Sequence, residues 1–246
     1  PMVTQMRGIV KVLGAFDKNL TRPVLSRSLH VDKFDSLVFE GCDLGYVDEV
    51  KAVVSDVNLT VKNKEKILIV GASGAGKSTV LKTIRQSILP KEGMVTLNGH
   101  NIFDVVPIDY YSMFSTVDQI GFIFNGTIKE NVTLYQPLDE DKVKDAMNSI
   151  GLAHLDLEQV LHNNGANVSG GQRARLMLAR ALSLDSQVIL CDEIFASLEH
   201  SIAKSIENDI LHLDKTIINV SHIIFEEQLP LYDKIYIVED GKIRLS

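Results

Sequence analysis

Long apolar runs are missing from this sequence of 246 residues: none approaches the roughly 18 to 20 residues needed to cross a bilayer, and no charged-then-apolar signal sequence opens the chain. The expectation is a polypeptide soluble by itself. Blocks of Lys and Arg are missing too. The formal net charge of −7 comes from 25 basic and 32 acidic residues spread along the chain, so the electrostatic footprint of a nucleic-acid-binding protein is absent and no DNA or RNA partner is expected. Cysteine is scarce. Cys42 and Cys191 each sit inside a short apolar run and read as small buried hydrophobes in a reducing, cytosolic compartment. What the chain does have is 45% hydrophobic residues, enough for an ordinary core of one large domain or two small lobes.

Ile9, Leu13, Phe16 and Leu20 repeat at helical spacing before Pro23, which sets residues 1–35 apart from the rest. β-rich runs follow at Leu37–Leu44 and Val53–Val61, then the buried strand Ile67–Val70. A helix is expected from Lys77 through Val80, Leu81 and Ile84, closed by Pro90 and Gly93. From Ile102 to Leu161 the pattern reads as irregular and helical, with Val143, Met147 and Ile150 on one helix face. Helix Gly170–Leu182, strand Gln187–Asp192, helix Ile202–Leu213 and strand Thr216–Val220 alternate, which implies a parallel sheet. Ile235–Val238 and Lys242–Leu245 flank Asp240-Gly241, a hairpin expected to finish the domain at its edge.

Chemistry concentrates in a few places. Gly71-Ala72-Ser73-Gly74-Ala75-Gly76-Lys77-Ser78 fits a phosphate-binding loop between a strand and a helix. Glycine-rich turns also precede helices for structural reasons alone, and the strand before this one is what favours the functional reading. In such a loop the backbone of Gly74 to Thr79 wraps phosphates, Lys77 reaches the β- and γ-phosphates and Ser78 holds Mg²⁺, with the helix N-terminus adding to the anion site. Val188-Ile189-Leu190-Cys191-Asp192-Glu193 is an apolar strand ending in two carboxylates, a costly ending without a cation or donors to hold them. Val168-Ser169-Gly170-Gly171-Gln172 opens a helix with Arg173 and Arg175 behind it, so its amides and hydroxyl can face an anion.

Together, in this order, the segments resemble the ATP-binding-cassette (ABC) ATPases over roughly residues 37 to 246. Val168–Gln172 resembles that family's signature sequence and Val188–Glu193 its Walker B motif. The resemblance implies a P-loop NTPase core of α/β class with an N-terminal antiparallel β portion and a helical subdomain, about residues 120–185, that bears the signature. It also implies the roles. Asp192 would orient Mg²⁺ and Glu193 would take the proton of, or polarise, the attacking water. Gln119, before Phe124-Asn125-Gly126-Thr127-Ile128-Lys129-Glu130-Asn131, matches the Q-loop glutamine that touches metal or lytic water. A lone His after a strand is usually a satisfied one, but His222 matches the switch histidine on the γ-phosphate, and Tyr46 the aromatic that stacks on adenine. The family pairs two domains head to tail, so Ser169, Gly170, Gly171 and Gln172 would cap ATP held by the other domain's loop.

The Thr-Ile-x-Glu-Asn stretch resembles exporters in particular. On that reading residues 1–35 are a tail from an absent transmembrane domain, residues 36–246 are the nucleotide-binding domain, and it lies at the cytoplasmic face of a membrane, the plasma membrane being the expected one. ATP and Mg²⁺ are the implied ligands, and the implied partners are a second such domain, identical or not, and the transmembrane domain. Three alternatives stand beside it: the separate ATPase subunit of an importer, an ABC ATPase acting as a clamp on nucleic acid or ribosomes, and an ATP sensor without useful turnover. Val168 replaces the usual Leu, and Ala196-Ser197-Leu198-Glu199 replaces the usual Ser-Ala-Leu-Asp of the D-loop. Asn163-Asn164-Gly165-Ala166-Asn167 replaces the exporter pattern before the signature.

Overall fold

The computed structural model describes residues 27–46, 51–119 and 121–246. The helix expected over Ile9–Leu20 and most of the expected tail lie outside them. Residues 27–35, assigned to that tail on sequence, pack on the domain: Phe34 is fully buried, Leu29 bridges Val105, and the Phe34 amide donates to Gln187 Oε1 at 2.8 Å.

Twelve strands are present among the described residues: β1 (Ser36–Leu44), β2 (Val54–Lys62), β3 (Lys66–Val70), β4 (Glu92–Leu97), β5 (His100–Asn101), β6 (Phe114–Asp118), β7 (Gly126–Thr127), β8 (Val160–Leu161), β9 (Val188–Asp192), β10 (Thr216–Ser221), β11 (Lys234–Glu239) and β12 (Lys242–Leu245). Six α-helices accompany them: α1 (Lys77–Ile84), α2 (Pro107–Met113), α3 (Ile128–Thr133), α4 (Glu140–Ser149), α5 (Gly170–Ser183) and α6 (His200–Leu211), with a 3₁₀ turn at Glu226–Leu231. Ten strands form one sheet in the order β5-β4-β1-β2-β12-β11-β3-β10-β9-β6. Its first four are antiparallel, and β11, β3, β10, β9 and β6 are parallel.

The central parallel strands β3, β9 and β10 are buried along nearly their whole length, which is why β3 and β9 read as apolar runs. Side chains alternate along a strand. Ile67, Ile69, Leu190, Ile218 and Val220 join a core with α1 and the antiparallel strands, whereas Leu68, Val70, Ile189, Cys191 and Ile217 join a second core with α3 to α6. Burying each such aliphatic side chain contributes about 1.5–3 kcal/mol. Cys42 and Cys191 are both buried and free, one in each core.

Three expectations need correction. The β11–β12 hairpin forms, but β12 lies inside the sheet, between β11 and β2, where Lys242 aligns with Ser55 and the Ser55 amide donates to the Gly241 carbonyl. The hairpin joins the antiparallel and parallel parts because its outer edge meets the free edge of β2. Helix α1 ends at Ile84, before Pro90, and Gly93 sits in β4 rather than closing the helix. The stretch after Ile102 contains β6, whose parallel pairing with β9 supplies the partner that a lone five-residue run cannot show in sequence.

The Thr-Ile-x-Glu-Asn stretch is a folding device in its own right. Thr127 caps α3, its hydroxyl accepting from the Glu130 amide and its own amide donating to Glu130 Oε2 at 2.7 Å, a reciprocal capping box. Fully buried Asn131 then staples the segment, accepting from the Phe124 amide at 2.8 Å and donating to the Phe124 and Thr127 carbonyls.

Candidate functional site

A cleft of about 530 Å³ opens over the turn between β3 and α1, lined by Ser73, Gly74, Gly76, Lys77, Ser78 and Thr79 on one side and by Tyr46, Asp118, Gln119, Asp192 and Glu193 on the others. Gly76, at φ +107, starts α1, and a Cβ there would stand 2.2 Å from Val54 Cγ2. At Gly71 a Cβ would meet the Val238 carbonyl oxygen at 2.3 Å. Only glycine lets this loop close against β2 and β11. A Cβ on Gly74, φ +81, would meet nothing within 4 Å, so the loop's crest faces open space.

Lys77 is 3% exposed, and its ammonium is turned along the loop, donating to the Gly71 and Ala72 carbonyls at 2.9 and 3.0 Å and lying 3.2 Å from Glu193 Oε1. Glu193 directly follows β9 with φ +51, a left-handed conformation that is costly for a residue with a side chain. Its amide donates to the Val220 carbonyl at 2.9 Å, which ties the turn to β10. The conformation aims the carboxylate into the cleft, where Oε2 lies 3.4 Å from Nδ1 of His222. His222 follows β10 and is itself half exposed.

Ser78 Oγ donates to Asp192 Oδ1 at 3.3 Å. Burial pushes the Asp192 carboxyl above its ordinary range, the Arg85 guanidinium opposing this and the Asp118 charge adding to it. A hydroxyl and one carboxylate, both hard oxygen donors, fit Mg²⁺, which takes few protein ligands and completes its shell with phosphate and water oxygens. Among the described residues no group of three or more His, Cys, Asp or Glu side chains is disposed to hold a metal.

Tyr46 is 39% exposed at the cleft's end, and its hydroxyl accepts from Lys82 Nζ at 2.8 Å while that ammonium lies 5.1 Å from the ring centroid. Gln119 lines this cleft and also a second cavity of about 330 Å³ that reaches Gly170, Arg173 and Ser197. Asn164 Oδ1 accepts from the Ile123 amide at 2.7 Å, so the segment after Gln119 is fastened to the one before Ser169.

Ser169, Gly170, Gly171 and Gln172 do not line the cleft over the phosphate loop. Ser169 caps α5 through a reciprocal box with Gln172 that occupies the Ser169 and Gln172 amides, and Ser169 and Gly170 are exposed at the helix start. Arg173 and Arg175 are turned to the protein, Arg173 donating to the Gly165 carbonyl and Arg175 to the Ile150 carbonyl and Asp209.

Two site residues went unassigned on sequence. Arg85 and Asp118 meet at 2.7 Å beside Asp192. They lie 33 residues apart, and neither belongs to a spacing pattern, so only the fold brings them together.

Residues 54–196 match the family model described as ABC transporter. The chain is 34% identical over 203 residues to the transport/processing ATP-binding protein ComA of Streptococcus pneumoniae, covering 77% of this chain and 28% of that one. It is 35% identical over 199 residues to the osmoprotectant import ATP-binding protein OsmV of Salmonella typhimurium, covering 77% of this chain and 52% of that one. A bacterial Atm1-family ABC exporter with ATP bound superposes with a TM-score of 0.78 at 23% identity, over 97% of this chain and 43% of that chain, and shows a shared fold. The chain therefore spans between about a quarter and about half of the curated relatives it matches.

Proposed function

The chain belongs to the ABC transporter family, and from that premise we propose that it is the ATP-hydrolysing nucleotide-binding domain of an exporter, completed by head-to-tail pairing with a second such domain. One observation carries the reading. The phosphate loop, the Ser78–Asp192 pair and Glu193 converge on a single cleft, while the N-terminus of α5, with Ser169 and Gly170 exposed, stands apart from it on the same chain. An anion-binding helix end with nothing of its own to bind is useful to another copy's nucleotide.

In this mechanism the amides of Gly74 to Thr79 and the Lys77 ammonium hold the phosphates. Ser78 and Asp192 would hold Mg²⁺, which neutralises charge on the β- and γ-phosphates when bound. Glu193 accepts the proton of the attacking water, and His222 and Gln119 hold that water and the γ-phosphate in line. Tyr46 stacks on adenine without reading its edges. Closure of the pair around two ATP and reopening after hydrolysis drive alternating access in attached membrane helices, at the cytoplasmic face of a membrane. Among the described residues no helix is long and apolar enough to cross a membrane.

A separate importer subunit is the competing reading, favoured by the likeness to OsmV. The Thr-Ile-x-Glu-Asn resemblance and the likeness to ComA favour the exporter. The test is ATP turnover against protein concentration for wild type and Glu193→Gln, with size-exclusion chromatography in Mg²⁺ and ATP. Turnover rising faster than linearly, lost in the variant while an ATP-bound dimer accumulates, supports the proposal. Protein that binds no ATP at any concentration overturns it.

A further inference from the structure

Arg85 follows the last residue of α1, yet its side chain reaches back along the helix, as helix geometry directs side chains toward the N-terminus. As a result both ends of α1 touch one carboxylate. Asp192 Oδ1 accepts from the Ser78 hydroxyl at 3.3 Å, and Asp192 Oδ2 lies 3.8 Å from Arg85 Nη2. The same nitrogen donates to Asp118 Oδ1 at 2.7 Å. Asp118 and Asp192 are aligned partners at the ends of the neighbouring parallel strands β6 and β9, so backbone pairing sets two carboxylates side by side. Like charges placed that way repel, and a cation between them is what makes the arrangement tolerable. Arg85 is three-quarters buried and its Nε is without a partner, so among the described residues its charge is met only by these two aspartates.

The two aspartates differ in what else they can do. Asp192 has the Ser78 hydroxyl and the phosphate loop in front of it. Asp118 directly precedes Gln119, and both line the phosphate cleft and the cavity leading to Gly170. We infer that Arg85 is a positioning residue that divides the two carboxylates: it draws Asp118 to itself, leaves Asp192 to Ser78 and the divalent cation, and by anchoring Asp118 fixes where the Gln119 segment begins. The inference rests on the nucleotide reading of the cleft.

It has a signature that damage to the fold would not produce, because its two partners act in opposite directions. In Arg85→Gln the neighbouring aspartates are no longer neutralised, so a divalent cation binds more tightly without nucleotide. In Asp118→Asn the whole guanidinium charge falls on Asp192 and competes with the cation. A unit charge gained or lost about 6 Å from a divalent cation changes its affinity by about tenfold even with the screening of bulk water, which sets the expected size in each direction.

The experiment is an Mn²⁺ titration followed by electron paramagnetic resonance, with and without a non-hydrolysable ATP analogue, on wild type, Arg85→Gln, Arg85→Lys, Asp118→Asn and the Arg85→Gln/Asp118→Asn pair. Opposite shifts of about tenfold in the single variants, with Arg85→Lys and the double variant near wild type, support the inference. Shifts of one sign in both single variants, or shifts below about twofold, overturn it. Failure of the nucleotide reading looks different, because the analogue then leaves the Mn²⁺ affinity of wild type unchanged.

Discussion

Lys77 Nζ lies 3.2 Å from Glu193 Oε1 while it donates to the Gly71 and Ala72 carbonyls, so the proposed phosphate-binding cation and the proposed base are in direct electrostatic contact. The contact exists because Glu193 takes a left-handed backbone at the end of β9 that throws its side chain across the cleft. Phosphate oxygens and Glu193 therefore compete for one ammonium.

Glu193→Gln removes the competitor and the base together. Turnover is expected to fall by about 10² to 10⁴, the usual worth of general base catalysis, while ATP binds as tightly as in wild type or tighter. Phosphate release and fluorescence titration with an ATP analogue check the two halves. A variant that retains turnover within tenfold contradicts the assignment.

Tyr46, proposed to stack on adenine, has its hydroxyl accepting from Lys82 Nζ. Loss of a stacking platform costs about 1–3 kcal/mol, so Tyr46→Ala is expected to raise the Kd for ATP about five- to hundredfold, while Tyr46→Trp stays near wild type. Calorimetric titration with ATP and GTP measures it, and the two nucleotides are expected to lose affinity alike because stacking does not read base edges.

Gly76→Ala tests the loop's packing. The added methyl would start 2.2 Å from Val54 Cγ2 on a backbone of φ +107, so a loss of about 1–3 kcal/mol is expected. In a domain of this size that is a fall of several degrees in Tm, read by thermal unfolding. An unchanged Tm would mean that β2 yields to the loop.

The sequence made some of this plain and hid the rest for physical reasons. Motifs built from neighbouring residues were visible: the loop between β3 and α1, the apolar strand ending at Asp192 and Glu193, and the helix that opens at Gly170; that the Ser169 hydroxyl caps this helix was not. β6 was not, because Phe114–Asp118 has no alternation of its own and becomes a strand only by pairing with β9. The place of β12 was misjudged because a hairpin signal specifies a turn and leaves open which edge it meets. Arg85 and Asp118 were invisible as a pair because nothing in either local pattern points to the other.

Glu207 gives a pH prediction. It is buried on α6, its Oε1 accepting from the Tyr232 hydroxyl at 2.6 Å and from Asn219 Nδ2 at 3.1 Å, while Oε2 is without a partner. Burial raises its pKa from 4.5 to about 7, with the Tyr232 hydrogen bond pulling the other way. The folded state thus holds a proton that the unfolded chain releases near pH 4.5. Its contribution to stability is full below that pH and is lost as pH rises through about 7, a decline on the order of 2–3 kcal/mol. Glu207→Gln lacks this slope, so the stability of the variant relative to wild type should rise across that window. Denaturant unfolding at several pH values measures the difference, and a constant difference contradicts the assignment.

The most direct test of the composite site mixes two inactive variants. Lys77→Ala removes the phosphate cation and leaves the helix cap at Ser169; Ser169→Arg blocks that cap and leaves the phosphate loop. Each alone is expected to hydrolyse ATP at a few per cent of wild type or less. Mixed in equal amounts they should recover about a quarter of wild-type turnover, since random pairing makes half the dimers mixed and each mixed dimer holds one intact site. Recovery that vanishes on dilution matches a site shared between two copies. A mixture no more active than its parts, or a Ser169→Arg protein as active as wild type, would contradict it.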